Sequence, residues 1–339
     1  MHALVVGGAG FVGSNLVRRL LADGAERVVV VDNFLSSEPD NLPGDARLEL
    51  REGSIADDAV LDALGDEFEH AFHLATYHGN QSSIADPLAD HDNNLLTTLK
   101  LFERLRGFRR LERVVYASAG CVLAKGGDGT EVDVAPLDLD SPYQISKLAG
   151  EMYALHYHRT HGLPVARARF QNVYGPGEVL GAGRWRGTPA TVWRNVTPTF
   201  VYRALKGLPL CVHGDGSATR DFVHVDDVVE GLVRLARTSG VEGEAFNLAS
   251  GVETSIRELA QTVNELAGSG AGIEEEPIRD WDRSLHRVGS TAKSRERLGF
   301  AASVALREGL AGTFEWTRAN LGRIERCIER HAEHLAAVA

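Results

Sequence analysis

The chain has 339 residues, of which 43% are hydrophobic, and a formal net charge of −11. This length suits one large domain or two modest ones with a sizeable buried core. The balance of 36 basic against 47 acidic residues argues against a nucleic-acid binder, whose phosphate contacts need clustered lysine and arginine.

The cysteines Cys121, Cys211 and Cys327 are widely spaced along the chain. This spacing offers neither a disulfide framework nor paired metal ligands, so we expect a reducing, cytoplasmic setting and no metal site. The amino terminus enters an apolar strand directly, without the basic start and long apolar core of a signal peptide. No apolar run approaches the roughly 18 residues of a membrane helix, and we expect no membrane association.

The first predicted element is a buried strand over residues 3–6, which a glycine-rich turn follows. Residues 16–21 then have the apolar spacing of a helix. Glycines between a strand and a helix let the backbone approach a pyrophosphate, which the positive helix N-terminus also attracts. The turn therefore predicts a dinucleotide site. Its predicted cofactor contacts are Gly7, Gly10, Phe11, Val12 and Gly13.

A second apolar strand, over residues 27–31, ends in Asp32, and Asn33 follows it. A carboxylate at this position accepts hydrogen bonds from the ribose hydroxyls of an adenosine and repels a ribose phosphate. No arginine or lysine in residues 33–37 offers a partner for such a phosphate. We therefore predict that the cofactor is NAD rather than NADP.

Further strand-like runs follow at residues 48–50, 71–74, 114–117, 165–168 and 245–248. Their alternation with helical stretches predicts an α/β fold with a Rossmann-type, doubly wound parallel sheet. From about residue 170 the composition changes, and residues 176–198 form a loop rich in glycine, proline, tryptophan and arginine. We expect an NAD-binding domain over residues 1–170 and a smaller, mixed substrate-binding region over residues 171–339. Segments such as 210–250 are expected to return to the Rossmann core.

Two features near the carboxy terminus predict structure rather than chemistry. Ser255 and Glu258 have the spacing of a helix capping box, and an apolar stripe follows them. Residues 310–339 are predicted to form an ordinary helix, whose His331 and His334 we expect to be solvated.

Tyr143 and Lys147 follow Ser141 and Pro142 at the start of a predicted helix, and their spacing places them on one helix face. Tyrosine alone is a poor base, with a free pKa of about 10. A neighbouring ammonium favours the phenolate, as does the positive ring of an oxidised nicotinamide. Taken alone, the pair also fits an ordinary helix surface. Because the chain also has a dinucleotide turn, the pair is a candidate proton-transfer site.

The glycine turn, Asp32 and the pair Tyr143 and Lys147 together resemble those of the extended short-chain dehydrogenase/reductases, the nucleotide-sugar epimerases and dehydratases. The resemblance covers nearly the whole chain. It implies an NAD-dependent enzyme that acts on a nucleotide-diphosphate sugar. It also implies a homodimer, because the helices beginning near Asp92 and Pro142 resemble those that pair two family subunits.

Other segments match the family motifs that contact ligands. On the cofactor side these matches add Ser54, Ile55, Leu74, Ala75, Asn94 and Ser118, with Ser54 standing where the family usually has aspartate. The candidate substrate contacts are Asn172, Arg184, Arg186, Arg220, Arg283 and Arg287. Because guanidinium suits bidentate phosphate binding, Arg220 and Arg283 are candidates for the diphosphate, with Arg287 as a second choice. Arg184 and Arg186 lie in the long loop, where they are candidates to contact a sugar carboxylate or polyol chain.

Two departures from the family pattern bear on the reaction. Ala119 stands where the family usually carries a serine or threonine that bonds the reacting sugar hydroxyl, and Ser118 lies one residue too early. Cys121 matches the catalytic cysteine of the GDP-mannose 3,5-epimerases and GDP-fucose synthases. The alternative for Cys121 is a small buried thiol.

The choice of reaction follows from the groups that the chain lacks. Gly120 and Cys121 occupy the positions of the Asp-Glu pair with which the 4,6-dehydratases eliminate water, and the decarboxylases also use a glutamate there. We therefore predict a nucleotide-sugar 4-epimerase, in which Tyr143 and Lys147 support transient oxidation of C4 by NAD. Two alternatives stay open: a C3/C5 epimerase or 4-keto-sugar reductase that uses Cys121, and a non-catalytic NAD-binding sensor.

Overall fold

The computed structural model describes residues 1–77, 79–122, 139–268, 270–279 and 285–338. The strands within these ranges are β1 His2–Val6, β2 Arg27–Asp32, β3 Leu48–Glu52, β4 His70–His73, β5 Arg113–Ala119, β6 Val165–Phe170, β7 Asn172–Tyr174, β8 Leu210–His213, β9 Thr219–His224, β10 Ala245–Leu248, β11 Glu253–Ser255 and β12 Ile273–Glu276.

The helices in the same ranges are α1 Phe11–Ala22, α2 Asp58–Asp62, α3 Asn80–Ala85, α4 Pro87–Asp90, α5 Thr97–Leu105, α6 Pro142–His161, α7 Val196–Leu205, α8 Val225–Arg237, α9 Ile256–Ala267, α10 Ala292–Leu298, α11 Leu306–Ala319, α12 Leu321–Glu329 and α13 Ala332–Ala337. A π-helical turn over His91–Leu96 joins α4 to α5.

The main sheet has seven strands in the described residues, in the order β10-β6-β5-β4-β1-β2-β3. Every neighbouring pair in it runs parallel. The strand order reverses beside β1, which lies between β2 and β4, and such a reversal opens a crevice at the carboxyl ends of the strands. The predicted Rossmann-type sheet is confirmed, and the glycine turn after β1 lies at this crevice.

Alternate residues of the central strands pack into opposite layers, because side chains on a strand point to the two faces in turn. Ala3 and Val5 of β1 belong to a core that includes α1 and α8. Leu4 and Val6 belong to a second core, which includes α5 and α6. Helices thus cover both faces of the sheet, which is why its inner strands are continuous apolar runs.

The carboxy-terminal half adds two small sheets, one with the order β11-β9-β7 and one that pairs β12 with β8. They pack with α7, α9 and α11 around a core of their own. From the segment 210–250, β10 joins the main sheet, whereas β8 and β9 belong to these small sheets. The capping box predicted at Ser255 and Glu258 is confirmed at the start of α9.

The carboxy-terminal residues form the separate helices α11, α12 and α13 rather than one helix. The prediction that His331 is solvated is wrong. This ring is buried, and its Nε2 lies 2.9 Å from the carbonyl oxygen of Gly181 in the long loop. His334 is exposed and stacks on Trp185 of the same loop, with ring centroids 4.9 Å apart.

Helix α6, which carries Tyr143 and Lys147, is fixed to β6 by a buried ionic cluster. Glu151 accepts hydrogen bonds from Arg169 at 2.8 and 2.6 Å and from Arg167 at 3.3 Å. The three residues are at most 1% exposed. A buried carboxylate between two guanidinium groups is compensated only while all partners are present. The cluster therefore ties the position of α6 to that of the sheet.

We predict that Glu151→Gln lowers the free energy of unfolding by about 3–5 kcal/mol, because it leaves buried positive charge uncompensated. Urea denaturation followed by circular dichroism measures this change. The matched control is Glu315→Gln, which breaks an ion pair with Arg318 that is more than half exposed and should leave stability nearly unchanged. Equal effects of the two substitutions would contradict the assigned role.

Candidate active site

The glycine turn forms a cradle that side chains would fill. A Cβ at Gly7, whose φ is +82°, would lie 2.5 Å from the backbone nitrogen of Ala75, and one at Gly13 would lie 2.2 Å from the carbonyl oxygen of Gly7. Helix α1 begins at Phe11, and its N-cap Gly10 offers no capping side chain. Its first backbone N–H groups therefore suit an anion, and these residues fit the pyrophosphate of a dinucleotide.

Asp32 is buried at the end of β2 and is held rigidly. Its Oδ2 accepts a hydrogen bond from the backbone of Ala9 at 2.9 Å. Its Oδ1 accepts from the backbone of Phe34 at 2.9 Å and from the hydroxyl of Ser37 at 2.8 Å. Burial raises the pKa of this carboxyl above its usual value, and the three donors act in the opposite direction. A carboxylate fixed in this way fits the ribose of NAD.

The remaining predicted cofactor residues lie along the same edge of the sheet. Leu74 donates its backbone N–H to Val6 at 2.8 Å, which brings the end of β4 beside the glycine turn. The hydroxyl of Ser54 accepts the backbone N–H of Ala56 at 3.1 Å, and Ile55 beside it is buried. Beyond β2, the carbonyl of Asn33 accepts a hydrogen bond from Arg184 at 3.0 Å. This contact places the exposed Arg184 on the cofactor side of the site.

Lys147 is buried, and its Nζ donates to the carbonyl oxygen of Ala117 at 3.0 Å. Burial lowers the pKa of Lys147 to about 8, while its interactions with Asp90 and Cys121 oppose that shift. Burial raises the pKa of Tyr143 well above its usual value, with Cys121 and Tyr116 adding to the effect. The protein alone therefore does not lower the pKa of Tyr143.

Tyr143 belongs to a hydrogen-bond network that sequence reasoning missed. Its phenol is hydrogen-bonded to the side chain of Thr76. The Thr76 hydroxyl donates to Oδ1 of Asn94 at 3.0 Å, and the backbone N–H of Tyr77 donates to the same oxygen at 2.7 Å. Asn94 in turn donates to Asp90 at 2.7 Å. The buried Asn94 therefore positions the segment that touches Tyr143.

Cys121 lies close to other candidate site residues. Its thiol is half-buried, and burial raises its pKa, opposed first by the charge of Arg287 and then by that of Lys147. Ala119 ends β5 without a hydroxyl, and the buried hydroxyl of Ser118 has no hydrogen-bond partner within the described ranges. The structure thus brings Cys121 near Lys147 and Arg287.

The candidate substrate contacts approach the site from the small sheets and the long loop. In the β7–β9 pair, Asn172 lies opposite Phe222, two residues beyond the buried Arg220. Arg186 is buried, with its guanidinium 5.9 Å from the centre of the Tyr77 ring. Arg283 lies outside the described residues.

Gln171 joins two of these segments. A Cβ at Gly120 would lie 2.3 Å from its Nε2, and one at Gly289 would lie 2.9 Å from the same atom. The turn that carries Cys121 and the loop that carries Arg287 therefore pack against one side chain, next to Asn172. The absence of side chains at both glycines makes this approach possible.

The acidic residues of β9 and α8 hold loops in place. Asp221 accepts hydrogen bonds from Ser250 and Gly251, and Asp227 accepts from Ser303. Within the described ranges, no three potential ligands are grouped to hold a metal ion. No helix in the part of the chain that the structure describes combines the length and hydropathy needed to cross a membrane.

Comparison with known proteins agrees with this geometry. Residues 3–249 match the model of the NAD dependent epimerase/dehydratase family. The chain is 38% identical to a UDP-glucose 4-epimerase of Mycolicibacterium smegmatis over 94% of this chain and 99% of that protein. It is 32% identical to a dTDP-glucose 4,6-dehydratase of Streptomyces antibioticus over 94% of this chain and 93% of that protein.

A solved structure extends the comparison to the fold. The Bordetella bronchiseptica enzyme WbmF in complex with NAD+ and UDP is similar, with a TM-score of 0.91 and 56% identity, covering 99% of this chain and 98% of that one. The predicted fold and the NAD prediction are thereby confirmed. The relatives are named for different reactions, so the likeness establishes a nucleotide-sugar enzyme and no single reaction. The chain belongs to the NAD-dependent epimerase/dehydratase family.

Proposed function

We propose that this chain is an epimerase that inverts C4 of a nucleotide-diphosphate sugar through a transient 4-keto intermediate. The observation that carries the proposal is the environment of Tyr143. Its phenol is hydrogen-bonded to the side chain of Thr76, and the buried Lys147 lies on the same face of α6. When bound, NAD supplies the reversible oxidation at C4. Tyr143 accepts the proton of the 4-hydroxyl and returns it after the sugar has exposed its other face.

Thr76 compensates for the missing hydroxyl at Ala119. The Thr76 side chain, which Asn94 holds in place, is hydrogen-bonded to the phenol of Tyr143 and favours its phenolate form. This bond holds the phenol in one orientation for proton transfer. The ammonium of Lys147, fixed on the carbonyl of Ala117, stabilises the phenolate form of Tyr143, which then accepts the proton of the sugar 4-hydroxyl.

The absence of a suitable acid and base argues against elimination and decarboxylation. Gly120 and Cys121 follow Ala119, where dehydratases of this family are expected to carry two carboxylates. The 38% identity with a UDP-glucose 4-epimerase over nearly the whole chain also supports epimerisation.

We predict that Tyr143→Phe abolishes turnover of nucleotide sugars, with a loss of at least about 100-fold, because it removes the proton-transfer group. Bound NAD should be retained. Product formation by proton NMR and NAD content after purification measure the two effects. Tyr153→Phe, on the exposed side of the same helix, is the control and should retain activity. Epimerisation that survives Tyr143→Phe would contradict the mechanism.

The position of Cys121 favours a second candidate function, inversion of C3 or C5 by proton exchange at carbon. Its raised pKa keeps the thiol protonated near neutral pH, so that it is able to donate a proton to one face of a carbanion. The positive charges of Arg287 and Lys147 act on this thiol and stabilise the thiolate that remains after the proton has been donated. Such a reaction does not need a hydroxyl at Ala119.

Cys121→Ser separates the two candidates. If C4 is inverted, we predict a change in turnover of less than about threefold, because the thiol takes no part in the chemistry. A loss of about 100-fold or more is expected of a missing general acid and would favour C3/C5 inversion instead. The control is Cys211→Ser, which alters a half-buried thiol of β8 outside the site. Product formation by NMR under matched conditions is the measurement.

We also propose that two copies of the chain form a homodimer through α3, α4, α6 and the π-helical turn. These elements pack together and expose a band of large apolar side chains. The band consists of Ile84, Leu88, Leu96, Ile145 and Met152, with Leu88 76% and Met152 60% exposed. Exposed apolar surface of this kind marks an interaction site, and isologous dimers are the commonest assembly.

Size-exclusion chromatography with light scattering tests the dimer. We expect a mass of about twice the 36.7 kDa of the chain. The double substitution Leu88→Glu and Met152→Glu should shift it to the monomer, because it places charge in the apolar contact. Val252→Glu, which alters an exposed apolar residue elsewhere, serves as the control. A monomeric native chain would refute the assembly.

A further inference from the structure

Arg186 has a buried guanidinium that no described residue compensates. The residue is 5% exposed, and none of its Nε, Nη1 and Nη2 atoms has a hydrogen-bond partner among the residues that the structure describes. Burial lowers its pKa to about 9, and the positive charge of Arg194 acts in the same direction. Removing an unpaired charge from water costs several kcal/mol. An anion that arrives with a ligand would compensate this charge through charge-assisted hydrogen bonds.

The long loop holds Arg186 in place. Its backbone N–H donates to the hydroxyl of Thr191 at 3.0 Å. Nearby, the backbone of Gly183 donates to Glu38 at 2.9 Å, and Trp185 stacks on His334. These contacts on both sides of Arg186 fix the path of the backbone. The unpaired guanidinium is therefore a feature of an anchored loop.

The guanidinium lies against the segment that contacts Tyr143. It stands 5.9 Å from the centre of the Tyr77 ring. Tyr77 adjoins Thr76, whose side chain is hydrogen-bonded to Tyr143. The buried Arg220, by contrast, lies on β9 of the small sheet near Asn172. The two arginines therefore belong to different parts of the site.

We propose that Arg186 binds the carboxylate of the sugar, and that the substrate is a nucleotide-diphosphate hexuronic acid. This inference rests on the proposed function, because it places C4 of the sugar at Tyr143. In a pyranose, the diphosphate on C1 lies across the ring from C4, whereas the carboxylate of a hexuronic acid is attached to the adjacent carbon C5. A carboxylate also matches the fork of guanidinium N–H groups and neutralises its charge, which a neutral hydroxymethyl group does not.

Calorimetric titration of the NAD-loaded protein with UDP-glucuronic acid, UDP-glucose and UDP tests the proposal without relying on turnover. We expect the native protein to bind UDP-glucuronic acid at least tenfold more tightly than UDP-glucose. Arg186→Gln should remove that preference and leave the affinities for UDP-glucose and UDP within about twofold. Arg186→Lys should keep part of it, because it retains the charge without the bidentate fork. Arg307→Gln, an exposed substitution on α11, is the control.

The results distinguish the sugar carboxylate from the diphosphate as the anion that Arg186 binds. Equal losses for all three ligands in Arg186→Gln would assign the residue to the diphosphate and overturn the carboxylate proposal. A native protein that binds both sugars equally would overturn it without the need for a variant, while the epimerase proposal would stand. NAD content and the melting temperature of each variant establish that it is folded.

Discussion

The position of helix α6 on the main sheet is the constraint on which the rest of the site depends. One face of this helix carries Lys147, whose Nζ is fixed on the carbonyl of Ala117 in β5. One turn further along, Glu151 is fixed by Arg167 and Arg169 in β6. The two contacts tie α6 to two neighbouring strands. The same strands end at the edge of the sheet where the glycine turn and Asp32 lie, so the proposed cofactor site and the proposed proton-transfer pair are held by one sheet.

The hydrogen-bond network around Tyr143 underlies the proposed proton transfer. Asn94 and Asp90 organise the segment after β4, and through Thr76 that segment reaches the phenol. Burial alone makes Tyr143 a weaker acid and Lys147 a weaker base than in water. The protein therefore does not hold a phenolate in advance. Its groups are placed so that a proton moves only when substrate and cofactor supply the remaining charge.

Features encoded locally were predictable from the sequence. The strand, glycine turn and helix at the amino terminus and the capping box of Ser255 and Glu258 depend on neighbouring residues, and each was found as predicted. Features that depend on distant contacts were not. The burial of His331 needs Gly181 across the fold, and the role of Thr76 needs Tyr143, which no local spacing reveals. Arg186 was a sequence candidate, but only the structure shows that its guanidinium is buried and has no hydrogen-bond partner among the described residues.

The measurement that most directly tests the proposed epimerisation follows a nucleotide sugar in heavy water, without added cofactor, by proton NMR and mass spectrometry. Oxidation and reduction at C4 return the same hydrogen to the carbon that it left. The mechanism at Tyr143 and Lys147 therefore predicts a new stereoisomer that contains no deuterium on carbon. A stereoisomer that has gained deuterium would contradict it and would place the proton-exchanging thiol of Cys121 at the centre of the reaction.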